Sequence, residues 1–231
     1  MKFPTRSFIA LILVALAGCA SAAQNPDDPL EGFNRAMFNF NDKVDQVALK
    51  PAATAYKSVL PSFVQTGVGN FFGNIGDVAN AFNNFLQGRV HDGMSDVTRV
   101  AVNSVFGLGG VFDVASPGGL TKHDQDFGQT LGHWGIASGP YVVLPLFGPS
   151  TVRDALAKPV DLETDLWNHK YPVRWRNAGE VLYVVDHRAY NLDSSSLIDG
   201  MALDRYEFVR DAYMQFRQNK INPDDTDRQA Q

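Results

Sequence analysis

The chain has 231 residues, enough for one sizeable domain with a real core, and a formal net charge of −5. An acidic balance without basic runs argues against nucleic acid as a partner. Its single cysteine excludes an internal disulfide and a cysteine-based metal site.

In chain order, "MKFPTR" is a short basic region and "SFIALILVALAG" an apolar one, the pattern of a secretory leader over residues 1–18. The apolar run is short for a comfortable membrane span. It ends in Leu16-Ala17-Gly18-Cys19, which resembles a bacterial lipobox, the signal for cleavage before the cysteine and acylation of Cys19. Ala20, in place of an aspartate, resembles the sorting signal for the outer membrane of a Gram-negative cell. Acyl chains on one residue give stable anchoring, because each buried CH₂ contributes ~0.8 kcal/mol. Residues 19–27 then read as a lipidated polar tether.

Asp28-Pro29-Leu30-Glu31 predicts a helix start, with Asp28 as the cap and Glu31 reaching back to it. Leu30, Phe33, Met37, Phe40, Val44 and Val47 recur at spacings of three and four, one face of a helix that Pro51 and Pro61 interrupt. A second stripe runs through Val64, Val68, Phe71, Ile75, Val78, Phe82 and Phe85. Its opposite face carries Asn70, Asn74, Asn80, Asn83 and Asn84 where a soluble amphipathic helix carries Glu and Lys. Those asparagines either pair with backbone in a tight pack or line a polar, uncharged channel. Tyr141-Val142-Val143-Leu144, after Gly139-Pro140, is the best extended segment. Tyr206, Val209, Tyr213 and Phe216 predict a last amphipathic helix with Arg205, Glu207, Arg210, Asp211 and Arg217 facing out. The main domain is expected over 28–218 and a disordered polar tail over 219–231.

Charge divides the chain. Residues 58–152 hold nine charged side chains and residues 153–231 hold 25, so the first part avoids charge and the second reads as solvated helix and loop. Uncharged spans after the leader are broken by Asn, Gly or Pro, so a spanning helix is not expected. The first part therefore suits either a protein lying in one leaflet or a soluble one with a large buried core, and an anchor at Cys19 favours the membrane. His133-Trp134 suits a membrane interface or a packed loop.

No catalytic constellation assembles, and an enzyme is not expected. Ser138 in "GIASGP" is outside a G-x-S-x-G elbow, and "FGLGG" lacks nucleotide-binding spacing. The five histidines form no i, i+4 pair for zinc. "KHDQD" at 122–126 reads as a cation-attracting run or as a solvated loop; no metal and no cofactor are expected.

"DPLEGFNRAMFNFND" from Asp28, "NFFGNIGDVANAFNNFLQG", "VNSVFGLGGVFDVAS" and "DFGQTLGHWGIASGPYVVLPLFGPSTVRD" follow the lipobox in this order. Together they resemble the MlaA (VacJ) lipoproteins of the Gram-negative outer membrane, strongly over residues 28–154 and loosely beyond. The resemblance implies an all-α fold, a ring-like bundle of amphipathic helices in the periplasmic leaflet, with a short hairpin loop beside a central pore. It implies removal of mislocalised phospholipids from the outer leaflet, their transfer to a periplasmic MlaC-like carrier, and a trimeric outer-membrane porin as neighbour. Carried over by motif, Asn39 and Phe40 fall in a segment that controls opening. Gly132, Gly135, Gly139 and Pro140 fall in the hairpin loop bordering the pore. The alternative reading is a porin-associated structural lipoprotein that moves no lipid.

Overall fold

The first apolar stripe does form a helix, α1 (Glu31–Val44), in the computed structural model, which describes residues 28–195 and 203–222. Cys19, the leader and most of the tail lie outside the described residues. Asp28 is not the cap. Leu30 occupies that position without a side-chain cap bond, and Asp28 is buried, accepting from Asn34 Nδ2 at 3.0 Å and from the Tyr206 hydroxyl. The carboxylate is drawn inward because neighbouring elements supply the donors a buried charge demands. Pro51 is accommodated rather than disruptive. A π-helical turn (Asp45–Leu49) widens the backbone, and the chain continues as α2 (Lys50–Val59) with Pro51 in its first turn, where no donor is required.

Helices α3 (Ser62–Leu86) and α4 (Val90–Phe106) form the most extensive helix pair, and both are inside out. Asn74, Asp77, Asn80, Asn83 and Asn84 of α3 are buried, as are Asp96, Arg99 and Asn103 of α4. Phe63, Phe82 and Phe85 of α3 and Val90, Met94, Val97, Val105 and Phe106 of α4 are exposed. The buried ions are held by a dense network. Arg99 is 1% exposed and reaches Asp77 at 3.1 Å, Asp113 at 3.2 Å and the Leu120 carbonyl at 2.7 Å. Lys122 adds a bond to Asp77 at 2.9 Å. Without such pairing a buried charge is prohibitively costly.

The chain then forms α5 (Phe127–His133), capped by Asp126, and a two-stranded hairpin of β1 (Tyr141–Leu144) and β2 (Gly148–Thr151). Antiparallel pairing sets Tyr141 opposite Thr151 and Leu144 opposite Gly148. Helices α6 (Val152–Thr164), α7 (Val173–Tyr190) and α8 (Arg205–Ile221) follow, with a 3₁₀ turn (Leu166–His169) before α7. Here the packing is conventional: Tyr141, Val143 and Tyr206 are buried, with Met37, Phe38, Tyr213 and Met214 packed against them. The last helix differs from its expected facing. Arg217 is buried between Asp126 and Asp154, and Phe216 is half exposed, because the two carboxylates draw the guanidinium inward. The helix also runs to Ile221, three residues into the expected tail. The fold is all-helical apart from the hairpin, as expected, and among the described residues no helix is long and apolar enough to cross a membrane.

Candidate functional site

Two cavities, about 310 and 670 Å³, lie on either side of one waist. Phe72, Gly76 and Asn80 of α3, Asp124 of the preceding loop and Tyr183 of α7 line both. The helices, with α6 and the 3₁₀ turn, border two adjoining cavities that together make a candidate passage. One half is lined by Asp124, Asp126, Asp161, Asp165, Glu180 and Lys158. The other carries Gln65, Asn70, Lys122, His123, Asp186 and His187. The lining is therefore charged, not the uncharged polar surface the asparagines suggested. Its carboxylates come largely from the second part of the chain, where charge is dense.

Burial sets the electrostatics of this wall. It raises the Asp161 carboxyl above the ordinary range against a hydrogen bond from the Phe127 amide, and raises Glu180, with Asp165 adding to the effect. It raises Asp186 as well, against the bond from the Tyr56 hydroxyl at 2.7 Å. Asp126 behaves oppositely. Burial opposes its ionisation, but Arg217 holds the carboxyl below its usual range. The aromatic rim is tight: Phe72 meets Trp167 edge-on at 5.4 Å and Tyr183 at 5.2 Å between ring centroids.

The asparagines divide. Asn70 and Asn80 border the passage. Asn74, Asn83 and Asn84 line neither cavity. Asn84 donates to Asp96 at 2.8 Å, Asn83 accepts from Thr130 at 2.8 Å, and Asn74 donates to Ser104 at 3.1 Å. They face α4 and α5 because those elements offer polar partners at the helix contact. The "KHDQD" run is a latch: Lys122 bonds Asp77, His123 bonds Asp96 at 2.8 Å, Gln125 accepts from Gln87 at 3.0 Å, and Asp124 and Asp126 pair with Lys220 and Arg217.

Gly132, Gly135, Gly139 and Pro140 line neither cavity. Gly132 lies in α5, where a Cβ would crowd Ile221 and Arg153. Gly135 and Gly139 adopt positive φ (87° and 66°) in the turns that lead into β1. Asn39 and Phe40 are exposed on α1 and line neither cavity.

Comparison with known proteins places this geometry. The family described as MlaA lipoprotein matches residues 26–220. The chain belongs to the MlaA lipoprotein family. It is 39% identical over 222 residues to the intermembrane phospholipid transport system lipoprotein MlaA of Shigella flexneri and to that of Escherichia coli K12, covering 90% of this chain and 85% of each relative. The Haemophilus influenzae protein of the same name is 32% identical over 236 residues, covering 96% of this chain and 92% of its own. A solved chain from work on the structural basis for maintenance of bacterial outer membrane lipid asymmetry superposes with a TM-score of 0.74 at 36% identity, covering 84% of this chain and 99% of that one.

Within the MlaA motif "FNRAMFNFND" the side chains that hydrogen-bond the hairpin are those of Asn34 and Asn41, which the sequence reading did not single out. Asn34 donates to the Tyr141 carbonyl at 3.0 Å and accepts from the Val143 amide at 2.9 Å. Asn41 donates to the Leu144 carbonyl at 2.9 Å and accepts from the Leu146 amide at 2.7 Å. Each side-chain amide thus mimics a neighbouring strand. Their separation of seven residues, two helical turns on one face, was the available signal. Trp167 and Tyr183 were missed as well. They lie in the half of the chain that carried no motif.

Proposed function

We propose that this chain removes phospholipids that have strayed into the outer leaflet of the outer membrane and passes them to a periplasmic carrier. The observation that carries the reading is a pair of adjoining cavities with charged side chains in their walls, set among helices whose outer face is apolar. Membership of the MlaA family supports it. Acyl chains on Cys19 hold the protein in the periplasmic leaflet beside a trimeric porin. The exposed apolar faces of α3 and α4 lie against lipid tails, so inner-leaflet lipids meet a hydrophobic rim. A headgroup arriving from the other leaflet finds the polar passage instead. No bond is broken in this process, and the covalent acyl chains are the only attached groups it requires.

Gly76 offers a direct test. It lines both halves of the passage, and a Cβ there meets nothing within 4 Å. Gly76→Phe is expected to plug the waist without disturbing the helix. In a deletion strain, the parent chain restores low outer-leaflet phospholipid, assayed with phospholipase added to intact cells, and Gly76→Phe at equal abundance does not. Full restoration by Gly76→Phe, or normal asymmetry in the deletion strain, would sink the reading in favour of a structural, porin-associated role. Cys19→Ala is expected to release the protein from membranes.

A further inference from the structure

The passage carries carboxylates on part of its wall, a poor surface for an acyl chain. A third cavity, of about 920 Å³, adjoins the passage and has the opposite character. That size is within the roughly 300–1,000 Å³ of ligand pockets. Phe63, Phe71, Val111, Phe112 and Trp175 contribute to its wall, and Lys170, exposed, is the one ionic residue among the described residues that line it. It shares Phe72 with both halves of the passage and Trp167 with one of them. The partition is a pair of rings in edge contact. Trp167 can approach α7 closely because residue 179 is glycine, where a Cβ would overlap the indole.

We propose that this cavity seats one acyl chain of the phospholipid in transit, with Lys170 pairing its phosphate. The inference rests on the transport reading above and adds where the chain goes. The Phe72–Trp167 pair marks the border with the passage, so the tail lies in the apolar cavity and the phosphate stays outside it, at exposed Lys170. Lys170 supplies the charge that an anionic phosphate seeks and that a purely apolar protein partner would leave unpaired.

The test uses the purified full chain in detergent. The chain has three tryptophans, and Trp134 and Trp175 replaced by Phe leave Trp167 as the sole reporter. A phosphatidylethanolamine brominated in mid-chain is expected to quench Trp167. Ala178 lines the cavity and is exposed, so Ala178→Phe fills it without touching the core. It is expected to abolish most of that quenching. Lys170→Glu, on the surface, is expected to weaken lipid retention about tenfold, the size of a charge-assisted contact turned repulsive. Quenching unaltered by Ala178→Phe, or absent while native mass spectrometry shows bound phospholipid, would overturn the pocket and leave the transport reading standing. No bound phospholipid at all, together with full rescue by Gly76→Phe, would overturn both.

Discussion

The α3–α4 pair and the α1–hairpin–α8 region solve the packing problem in opposite ways. The first buries Asp77, Asp96 and Arg99 and exposes Phe63, Val105 and Phe106, the last two 71% and 73% exposed. The second buries Tyr141, Val143 and Tyr206 around Met37 and Phe38, with Glu207 and Asp211 outside. One chain therefore carries two interiors. A polar interior with an apolar exterior is stable where lipid surrounds it, because water would penalise the outer Phe and Val side chains while the ion network gains nothing from solvent. The conventional interior suits water. The boundary between them is the Arg217–Asp126–Asp154 cluster, which ties α8 to α5 and α6.

Five substitutions sharpen this contrast. Arg99→Leu removes one of the two cations on buried Asp77, leaving Lys122, and takes the guanidinium from partly buried Asp113, and is expected to cost about 3–5 kcal/mol. Thermal unfolding in detergent measures it, and a cost below about 1 kcal/mol would mean that the polar interior is not the structural core of this half.

Valine compared with valine comes next. Val143→Asn, in the conventional core, is expected to cost about 3 kcal/mol. Val105→Asn, on the exposed apolar face, is expected to stay within about 0.5 kcal/mol while weakening membrane association. Equal costs would erase the distinction between the two regions.

Arg217→Met is expected to lose about 3 kcal/mol at neutral pH. The acid limb of stability should change too. Arg217 depresses both Asp126 and Asp154 against burial, so their contribution is full above the unfolded carboxylate value of about 3.9 and falls as pH drops through the folded values. Arg217→Met is therefore expected to flatten the loss of stability below about pH 4, measured as midpoint against pH. An unchanged acid limb would deny the cluster its role at the boundary.

The smallest effect is expected from Tyr206→Phe, which removes one donor from buried Asp28 and leaves its bond from Asn34. The expected loss is about 1–2 kcal/mol by the same unfolding measurement.

Much of the helical framework was legible in the sequence. The three–four spacing of Val64, Val68, Phe71 and Ile75 located α3, and that of Tyr206, Val209 and Tyr213 located α8. "YVVL" after Gly139-Pro140 located β1. What periodicity cannot supply is which face is inside, because a 3.6-residue repeat defines two faces and not the solvent beyond either. Asn83 and Asn84 therefore remained open between packing and lining until α4 and α5 supplied their partners. Asp28 looked like a cap because its neighbours in sequence fit a capping box, whereas its donors Asn34 and Tyr206 arrive from six and 178 residues away. The passage was the least legible part. Asp161, Asp165 and Glu180 lie in stretches that read as solvated helix, and only the tertiary arrangement turns them toward Gly76 and Asn80.

The inside-out half is tested most directly by spin labels at Val97, Val105 and Gly76 in the full chain reconstituted into phospholipid bilayers. Collision rates with oxygen, which dissolves in lipid, and with a water-soluble nickel chelate report the surroundings of each label. Val97 and Val105 are predicted to be oxygen-accessible and shielded from nickel, with Gly76 the reverse. Nickel access at Val97 and Val105 equal to that at Gly76 would contradict a lipid-facing exterior around a wet passage.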